Sequence, residues 1–509
     1  MYVAELDRPW LDTPFLLQGF RIDSQIELET LRRYCRYVYV DPELSDAGLA
    51  EAIRTAELTE TPFDPPAGPR GAGPLRFDTV LDEPLTRASR ATRPVRIRSD
   101  LKISNQTRER FRRFIKATAV SPEATDSRPT LAGRAFDWLR GLAGHDPDAE
   151  AVRDSLARAR SAIRDQLPPE ARLRRYADRA TIDDELPRAR EAFAHAERRL
   201  QELAGDVRTG RTPDVQEFAR AVDEIVDSMI DNPDALMWVA WTSEDGQSGP
   251  RHAQLHGLKV ALFLVALGRQ LGLPRRELAH LGTIGMLADI GKSRLPQALL
   301  EKPGMLTPSE YNVVKEHVRL GLEALCQNMR LAPAVEQGIA QHHERLDGSG
   351  YPKGLKGDEI GVYGRMAAIA DTFAALIAVR PYANAWAPQD ALMSLYEWAG
   401  CSFDEPLVEQ FVQAIGLFPV GSLVELSSGE LAVVRAHNRA RRLEPRVTVL
   451  TGTDKSPCTP FERDLAARSK DREHRRIRVV RGLAVGAYGL RAEGSSAQPA
   501  SDSDSDSEA

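Results

Sequence analysis

One stretch of hydrophobic patterning constrains this chain more than any other feature. Across residues 235–418 apolar side chains recur at three- and four-residue intervals in helix-length stripes, such as 258–271, 277–290 and 363–379, separated by Gly and Pro. That period belongs to helices with a buried face, and its density in Leu, Ala, Ile and Val predicts a compact all-α domain. Beyond Pro419 the period becomes two, in Leu423-Val424-Glu425-Leu426, Leu431-Ala432-Val433-Val434 and Val447-Thr448-Val449-Leu450. These read as strands of a small β element over residues 419–485. The expected class is therefore mainly α, with minor β parts.

The flanks complete a five-part reading. Residues 1–145 begin with β-branched and aromatic residues, an amphipathic stretch at 25–36 and the strand-like Arg36-Tyr37-Val38-Tyr39-Val40. They predict a small α+β module that runs into a Pro/Gly-rich extended linker at 59–75. Residues 146–234 are rich in Ala, Arg, Glu and Leu at helical spacing, which predicts long exposed helices forming a connector. The stripe Leu186, Ala189, Ala192, Phe193, Ala196 to Leu200 suits either a homodimer seam or one helix packing on its neighbour. Residues 486–509 are expected to be a disordered acidic tail, because from Glu493 to Ala509 the chain is mostly Ser, Asp, Ala and Glu with no large apolar side chain.

Composition excludes several classes. The 68 basic and 74 acidic residues leave a net charge of −6, and all but one unit of it resides in Glu493, Asp502, Asp504, Asp506 and Glu508. The body of the chain is near neutral, which argues against binding a nucleic-acid polymer. An arginine cluster at Arg472, Arg475, Arg476, Arg478 and Arg481 is interleaved with Asp471 and Glu473 and reads as an exposed face. Cys35, Cys326, Cys401 and Cys458 form no CxxC pair, as expected of reduced thiols in a cytoplasmic protein. The longest apolar run, 260–267, is shorter than the roughly 20 residues a membrane span needs, so no membrane anchor is expected.

Chemistry concentrates in the helical region. His252, His256, Asp289, His317, His342, His343 and Asp371 mix neutral nitrogen with anionic oxygen, the donor set of borderline divalent metals. A single such histidine reads as a satisfied core residue; the set reads as a metal centre. His252 and His256 are one helical turn apart and can share a face. The pair His342-His343 precedes a glycine-rich loop, 347–352, whose backbone amides are expected to be free for a substrate phosphate.

Ala288-Asp289-Ile290-Gly291-Lys292, His342-His343-Glu344, Asp347-Gly348-Ser349-Gly350-Tyr351-Pro352 and Arg380-Pro381-Tyr382 together resemble the HD-GYP family. Its members are bacterial metal-dependent phosphodiesterases that hydrolyse cyclic di-GMP. The resemblance covers residues 235–418, and the HHExxDGxGYP stretch carries most of its specificity. The first fifteen residues resemble the uncharacterised domain that often precedes HD-GYP domains. The resemblance implies one or two divalent metals, iron or manganese, with Asp289 as the shared ligand. His317, His342 and His343 would complete one shell, and His256 and Asp371 would serve the other. It implies a metal-activated water attacking phosphorus, with Lys292 beside Asp289 stabilising phosphoryl charge. Gly350, Tyr351, Pro352 and Arg380 are the implied substrate contacts, and cyclic di-GMP or a GGDEF-domain protein the implied partners.

Three positions depart from the family pattern. Ala288 replaces the histidine of the HD pair, Ala374 stands where Asp is usual, and Ala383 stands where a basic residue is usual. Two readings follow. Either His252 substitutes as a ligand and the chain is a cyclic di-GMP phosphodiesterase, or one metal site is too weak to fill and the domain binds a ligand or partner without turnover. No phosphate-binding P-loop, dinucleotide-binding glycine fingerprint or serine-hydrolase elbow is present.

Overall fold

The computed structural model describes residues 2–6, 20–21, 37–40, 73–76, 105–119, 147–164, 167, 171–243, 250–302, 306–379, 385–467 and 476–490. At the N-terminus β1 (Tyr2–Leu6), β2 (Phe20–Arg21), β3 (Tyr37–Val40) and β4 (Gly73–Arg76) form an antiparallel sheet in the order β2-β1-β3-β4. The strand expected around Val38 is present as β3. The Pro/Gly-rich stretch, expected to be an extended linker, ends in β4, which pairs with β3 through Val38 and Leu75. The amphipathic stretch 25–36 and residues 491–509 of the expected tail lie outside the described residues, whereas residues 486–490 form a 3-10 turn, Ala487–Gly489, and bury Leu490 against Leu423 and Leu431, so the tail begins later than expected.

Helices α1 (Asn105–Thr118), α2 (Pro147–Arg164), α3 (Ile182–Thr209), α4 (Val215–Asp231) and α5 (Pro233–Thr242) follow. The local sequence sets their ends. Thr181 caps α3 by accepting from the Asp184 amide, Asp183, Asp184 and Glu185 load its first turn, and Gly210 closes it in the left-handed region at φ 73°. Asn232 terminates α4 and caps α5, with Pro233 at the first helical position.

These helices are not an exposed connector. Leu186, Ala189, Ala192, Phe193, Ala196 and Leu200 are all buried, in a core shared with α4 and α5. The stripe that suited a homodimer seam is thus spent inside the chain. The amphipathic pattern shows that a face is covered, while the identity of what covers it is a tertiary matter.

The central helices are α6 (Pro250–Leu271), α7 (Arg275–Leu287), α8 (Gln297–Leu300), α9 (Pro308–Lys315), α10 (His317–Asn328), α11 (Pro333–Gln341), α12 (Val362–Ile377), α13 (Pro388–Glu397) and α14 (Glu405–Ile415). Phe263, Phe373 and Phe411 pin α6, α12 and α14 together in edge-to-face contacts, with centroids 5.1, 5.3 and 6.3 Å apart. No described helix is long and apolar enough to cross a membrane.

After Pro419 the chain forms β5 (Leu423–Leu426), β6 (Leu431–Ala436), β7 (Arg446–Thr451), β8 (Pro457–Asp464) and β9 (Val479–Gly482). They make an antiparallel sheet in the order β8-β7-β6-β5-β9. Val424, Leu426, Ala432, Val434, Val447 and Val449 enter the same apolar core as the helices, so the sheet is part of the main body. Arg476 and Arg481, from the C-terminal arginine cluster, pair with Glu444 and Glu425, as expected of an exposed face.

A buried carboxylate fastens this sheet to the helices. Asp234, at the start of α5, accepts from the His437 amide at 2.8 Å, faces His437 Nδ1 at 3.1 Å and accepts from Arg439 Nη2 at 3.1 Å. Burial alone would raise its pKa, but Arg439 and His437 outweigh burial and hold it far below the ordinary carboxylate range. Replacing Asp234 by Asn should lower unfolding free energy by about 2 kcal/mol, below the range for a wholly buried pair. The discount reflects an Arg439 side chain that remains 44% exposed. Because the folded pKa is depressed, this stabilisation is full above about pH 4 and fades as pH falls further. Urea titrations of both proteins at pH 7 and pH 3 check this: the difference between them should shrink in acid.

Candidate metal centre

Five elements converge on one point. His256 lies in α6, Asp289 follows the end of α7, His317 opens α10, His342 and His343 follow α11, and Asp371 lies within α12. After Asp289 the chain makes a 3-10 turn, Ile290–Arg294, which rests directly on the start of α10. A Cβ on Gly291 would stand 2.0 Å from the His317 carbonyl oxygen, so only glycine permits the approach. That approach carries Asp289 to His317.

Two groups of donors result, and they share Asp289. In the first, one atom each from Asp289, His317, His342 and His343 lie within 4.8 Å of one another; in the second, His256, Asp289 and Asp371 do so. The closest pairs are His317 Nε2 to Asp289 Oδ1 at 3.2 Å and His256 Nε2 to Asp371 Oδ1 at 2.9 Å. His342 Nε2 lies 3.8 Å from Asp289 Oδ1, His256 Nε2 lies 3.7 Å from Asp289 Oδ2, and His343 Nδ1 lies 3.6 Å from Asp371 Oδ2.

The hydrogen bonds around the rings show what this arrangement needs. His317 Nδ1 donates to the Val314 carbonyl at 2.6 Å, and His342 Nδ1 donates to the Ile339 carbonyl at 2.7 Å. A carbonyl can only accept, so each neutral ring carries its proton on Nδ1 and turns the Nε2 lone pair inward. Asp289 Oδ1, His317 Nε2 and His342 Nε2 are all buried without a hydrogen-bond partner. Three acceptors that face one another with no donor between them form an arrangement a cation would satisfy. The donor set suits a divalent metal on both charge and atom type.

Electrostatics keeps the ligands in metal-binding form. Burial alone would raise the Asp289 pKa, but the Lys292 ammonium holds it well below the usual carboxylate range. Asp371 is likewise depressed by His256 and His343 against the opposing effect of burial. Burial lowers His317 and takes His343 well below its ordinary value. Ionised carboxylates and neutral imidazoles are the forms that bind metals. Lys292 Nζ donates to Asp289 Oδ2 at 2.6 Å and fixes that carboxylate from the side opposite His317 and His342.

The two groups are unequal. The first has four protein donors. The second has three, and the neighbouring residue Ala288 is buried at 4% exposure and offers only a methyl group. His252 belongs to α6, but its side chain lies outside the described residues, as do Arg380 and Ala383. Ala374 is wholly buried in the core.

The glycine-rich loop departs from expectation. Ser349 N donates to Asp347 Oδ1, Tyr351 N to the His343 carbonyl, and Lys353 N and Leu355 N to the two oxygens of Glu344. The Gly348, Ser349 and Tyr351 amides are thus spent within the protein, which corrects the expectation that they are free for a phosphate. Gly350 serves close packing instead, since a Cβ there would meet the Arg345 nitrogen and the His343 carbonyl oxygen at 2.5 Å. Pro352 follows a cis peptide bond. The loop delivers Tyr351, whose ring stacks on His343 at 4.5 Å and meets His317 edge-on at 6.3 Å. Burial pushes the Tyr351 phenol well above its ordinary pKa, so it stays a neutral hydroxyl.

Glu344, Arg345 and Tyr311 were not singled out as site residues on sequence grounds. Glu344 is 1% exposed and holds the loop. Arg345 donates to the His342 and Glu344 carbonyls and to Thr372 Oγ1, next to Asp371. The signal for Glu344 and Arg345 was their place directly after His342-His343; for Tyr311 there was none.

Comparison with known proteins agrees with this geometry. Residues 246–407 match the HD domain family, and residues 1–121 match a domain of unknown function, DUF3391. A cyclic di-GMP phosphodiesterase of Pseudomonas aeruginosa is 34% identical over 271 residues, 53% of this chain and 64% of that protein. A cyclic di-GMP phosphodiesterase response regulator of Xanthomonas campestris pv. campestris is 42% identical over 168 residues, 33% of this chain and 44% of that protein. A 3'3'-cGAMP-specific phosphodiesterase of Vibrio cholerae is 37% identical over 164 residues, 32% of this chain and 31% of that protein. The chain thus spans less than two thirds of the length of each. With the His342-His343-Glu344 and Gly350-Tyr351-Pro352 signature placed around a shared Asp289, residues 246–407 match the HD domain family with alanine at the first position of the HD pair, and the region is similar to cyclic di-GMP phosphodiesterases.

Proposed function

We propose that this chain is a metal-dependent phosphodiesterase of cyclic di-GMP signalling. The observation that carries the reading is the buried convergence of Asp289 Oδ1, His317 Nε2 and His342 Nε2 with no donor among them. The substrate class rests on the relatives, two of which are named as cyclic di-GMP phosphodiesterases. Asp289, His317, His342 and His343 would hold one divalent cation, iron or manganese, and His256, Asp289 and Asp371 a second. Bound there, such cations supply Lewis acidity at phosphoryl oxygens and an activated water.

The protein's own groups perform the remaining tasks. Lys292 keeps Asp289 ionised and oriented while presenting a positive charge where phosphoryl oxygens gain negative charge. Tyr351 covers His343 and stays protonated, so its hydroxyl can donate to a substrate oxygen. Arg345 links the His342-His343 segment to Thr372 and so holds the two ligand-bearing strips in register. Gly350, Pro352 and Arg380 are assigned to substrate contact by the family motif alone.

A second reading is favoured by Ala288. With three protein donors, the group around His256 binds a cation more weakly than its neighbour, and a chain with one filled site would hold cyclic di-GMP or a GGDEF-domain partner without turnover. Purified protein incubated with cyclic di-GMP and manganese or ferrous iron separates the two. Release of linear dinucleotide supports the enzyme, and no product at high enzyme concentration rejects it.

Replacing His342 by Ala should remove the better metal site and lower both metal content and hydrolysis, the latter by roughly 100-fold or more. Elemental analysis alongside product assay checks both. Replacing Ala288 by His adds an imidazole beside the weaker group. It should raise metal content toward two per chain and tighten that site by roughly 10-fold or more. Unchanged stoichiometry in the Ala288→His protein would show that this position does not limit the site.

A further inference from the structure

Beside the metal ligands stands a lysine that neither the sequence motif nor the proposed mechanism uses. Lys315 is the last residue of α9, two positions before His317, and is half-buried. Its ammonium lies 4.5 Å from the centre of the Tyr311 ring and 5.5 Å from that of Tyr351. The two rings meet edge-on at 6.2 Å. Tyr351 in turn stacks on His343, so one ring separates Lys315 from the ligand cluster.

The other cations nearby are occupied. Lys292 is bound to Asp289, and Arg345 directs its nitrogens to two carbonyls and Thr372 Oγ1. The acidic residues around Lys315 are occupied too: Glu310 pairs with Lys302 and caps α9, and Glu316 pairs with Arg319. Among the described residues, Lys315 has no carboxylate within ion-pair distance. An ammonium over two aromatic faces has lost part of its water shell and retains its N–H donors for an incoming anion.

We infer that Lys315 is a substrate-recognition residue, presented by Tyr311 and Tyr351 to the second phosphate of a cyclic dinucleotide while the first lies at the metal centre. The inference rests on the proposed function, because it requires a substrate with two phosphodiester groups. It adds a specificity contact that a substrate with a single phosphate cannot use.

The experiment compares wild-type protein with Lys315→Ala and Lys315→Arg. Two phosphodiesters are used, cyclic di-GMP and bis(p-nitrophenyl) phosphate, which has one phosphate. Turnover is measured with manganese-loaded protein, and cyclic di-GMP affinity by calorimetry. Lys315→Ala should weaken cyclic di-GMP binding about 10-fold, the scale of one charge-assisted hydrogen bond, and raise KM in proportion with kcat little changed. Hydrolysis of the single-phosphate diester should be unchanged, and Lys315→Arg should restore most of the affinity. If the wild type binds without turnover, calorimetry alone decides. Unchanged affinity in Lys315→Ala, or equal losses on both diesters, overturns the inference while leaving the proposed function standing. Wild-type protein that neither binds nor hydrolyses cyclic di-GMP overturns both.

Discussion

The structure turns on a repulsion that the polypeptide cannot relieve by itself. Asp289 Oδ1 faces the Nε2 lone pair of His317 at 3.2 Å, with His342 Nε2 close behind. The protons that could have bridged them are committed to the Val314 and Ile339 carbonyls. Left alone in a buried site, such an arrangement costs free energy, since each acceptor has given up water without gaining a donor. The fold holds it through short backbone connections: the Gly291 turn pressed on α10, and the α11 terminus that places His342. A cation converts the same contacts from destabilising to binding.

The surrounding body serves that constraint. Ligands arrive from α6, the α7 terminus, α10, the α11 terminus and α12, so their spacing depends on how these helices pack. The Phe263, Phe373 and Phe411 contacts fix α6 against α12, which carry His256 and Asp371. Glu344 and Arg345 work at closer range, one holding the loop that carries Tyr351 and the other joining His342 to Thr372. Close-packed interiors adjust little, so a ligand set distributed over five elements is placed by the whole core.

The readable part of this organisation lay in local patterns. Hydrophobic period identified the helical region and the later strands, and donor chemistry with motif spacing identified the seven ligand candidates, of which six side chains are seen together. What could not be read was set by tertiary contact. The α3 stripe announced a buried face without naming its cover, so Leu186 to Leu200 suited a dimer as well as the intramolecular packing observed. The glycine-rich loop announced a turn, but the destination of its amides depended on Glu344 lying beneath it. Tyr311 carries no motif, and its place beside Tyr351 follows only from how α9 meets the loop.

The asymmetry between the two donor groups is where sequence and structure inform each other most. An Ala-for-His change at position 288 could in principle have collapsed the centre, yet Asp289 keeps its depressed pKa because Lys292 donates to its Oδ2. The four-donor group therefore does not depend on residue 288. The three-donor group comprises two carboxylates and one imidazole, and His256 already faces Asp371 at 2.9 Å. In the absence of a cation that contact satisfies both side chains, so metal entering there must compete with a hydrogen bond that the first group lacks. The three-donor group thus differs from its neighbour twice over, by one donor fewer and by the internal hydrogen bond that already satisfies His256 and Asp371.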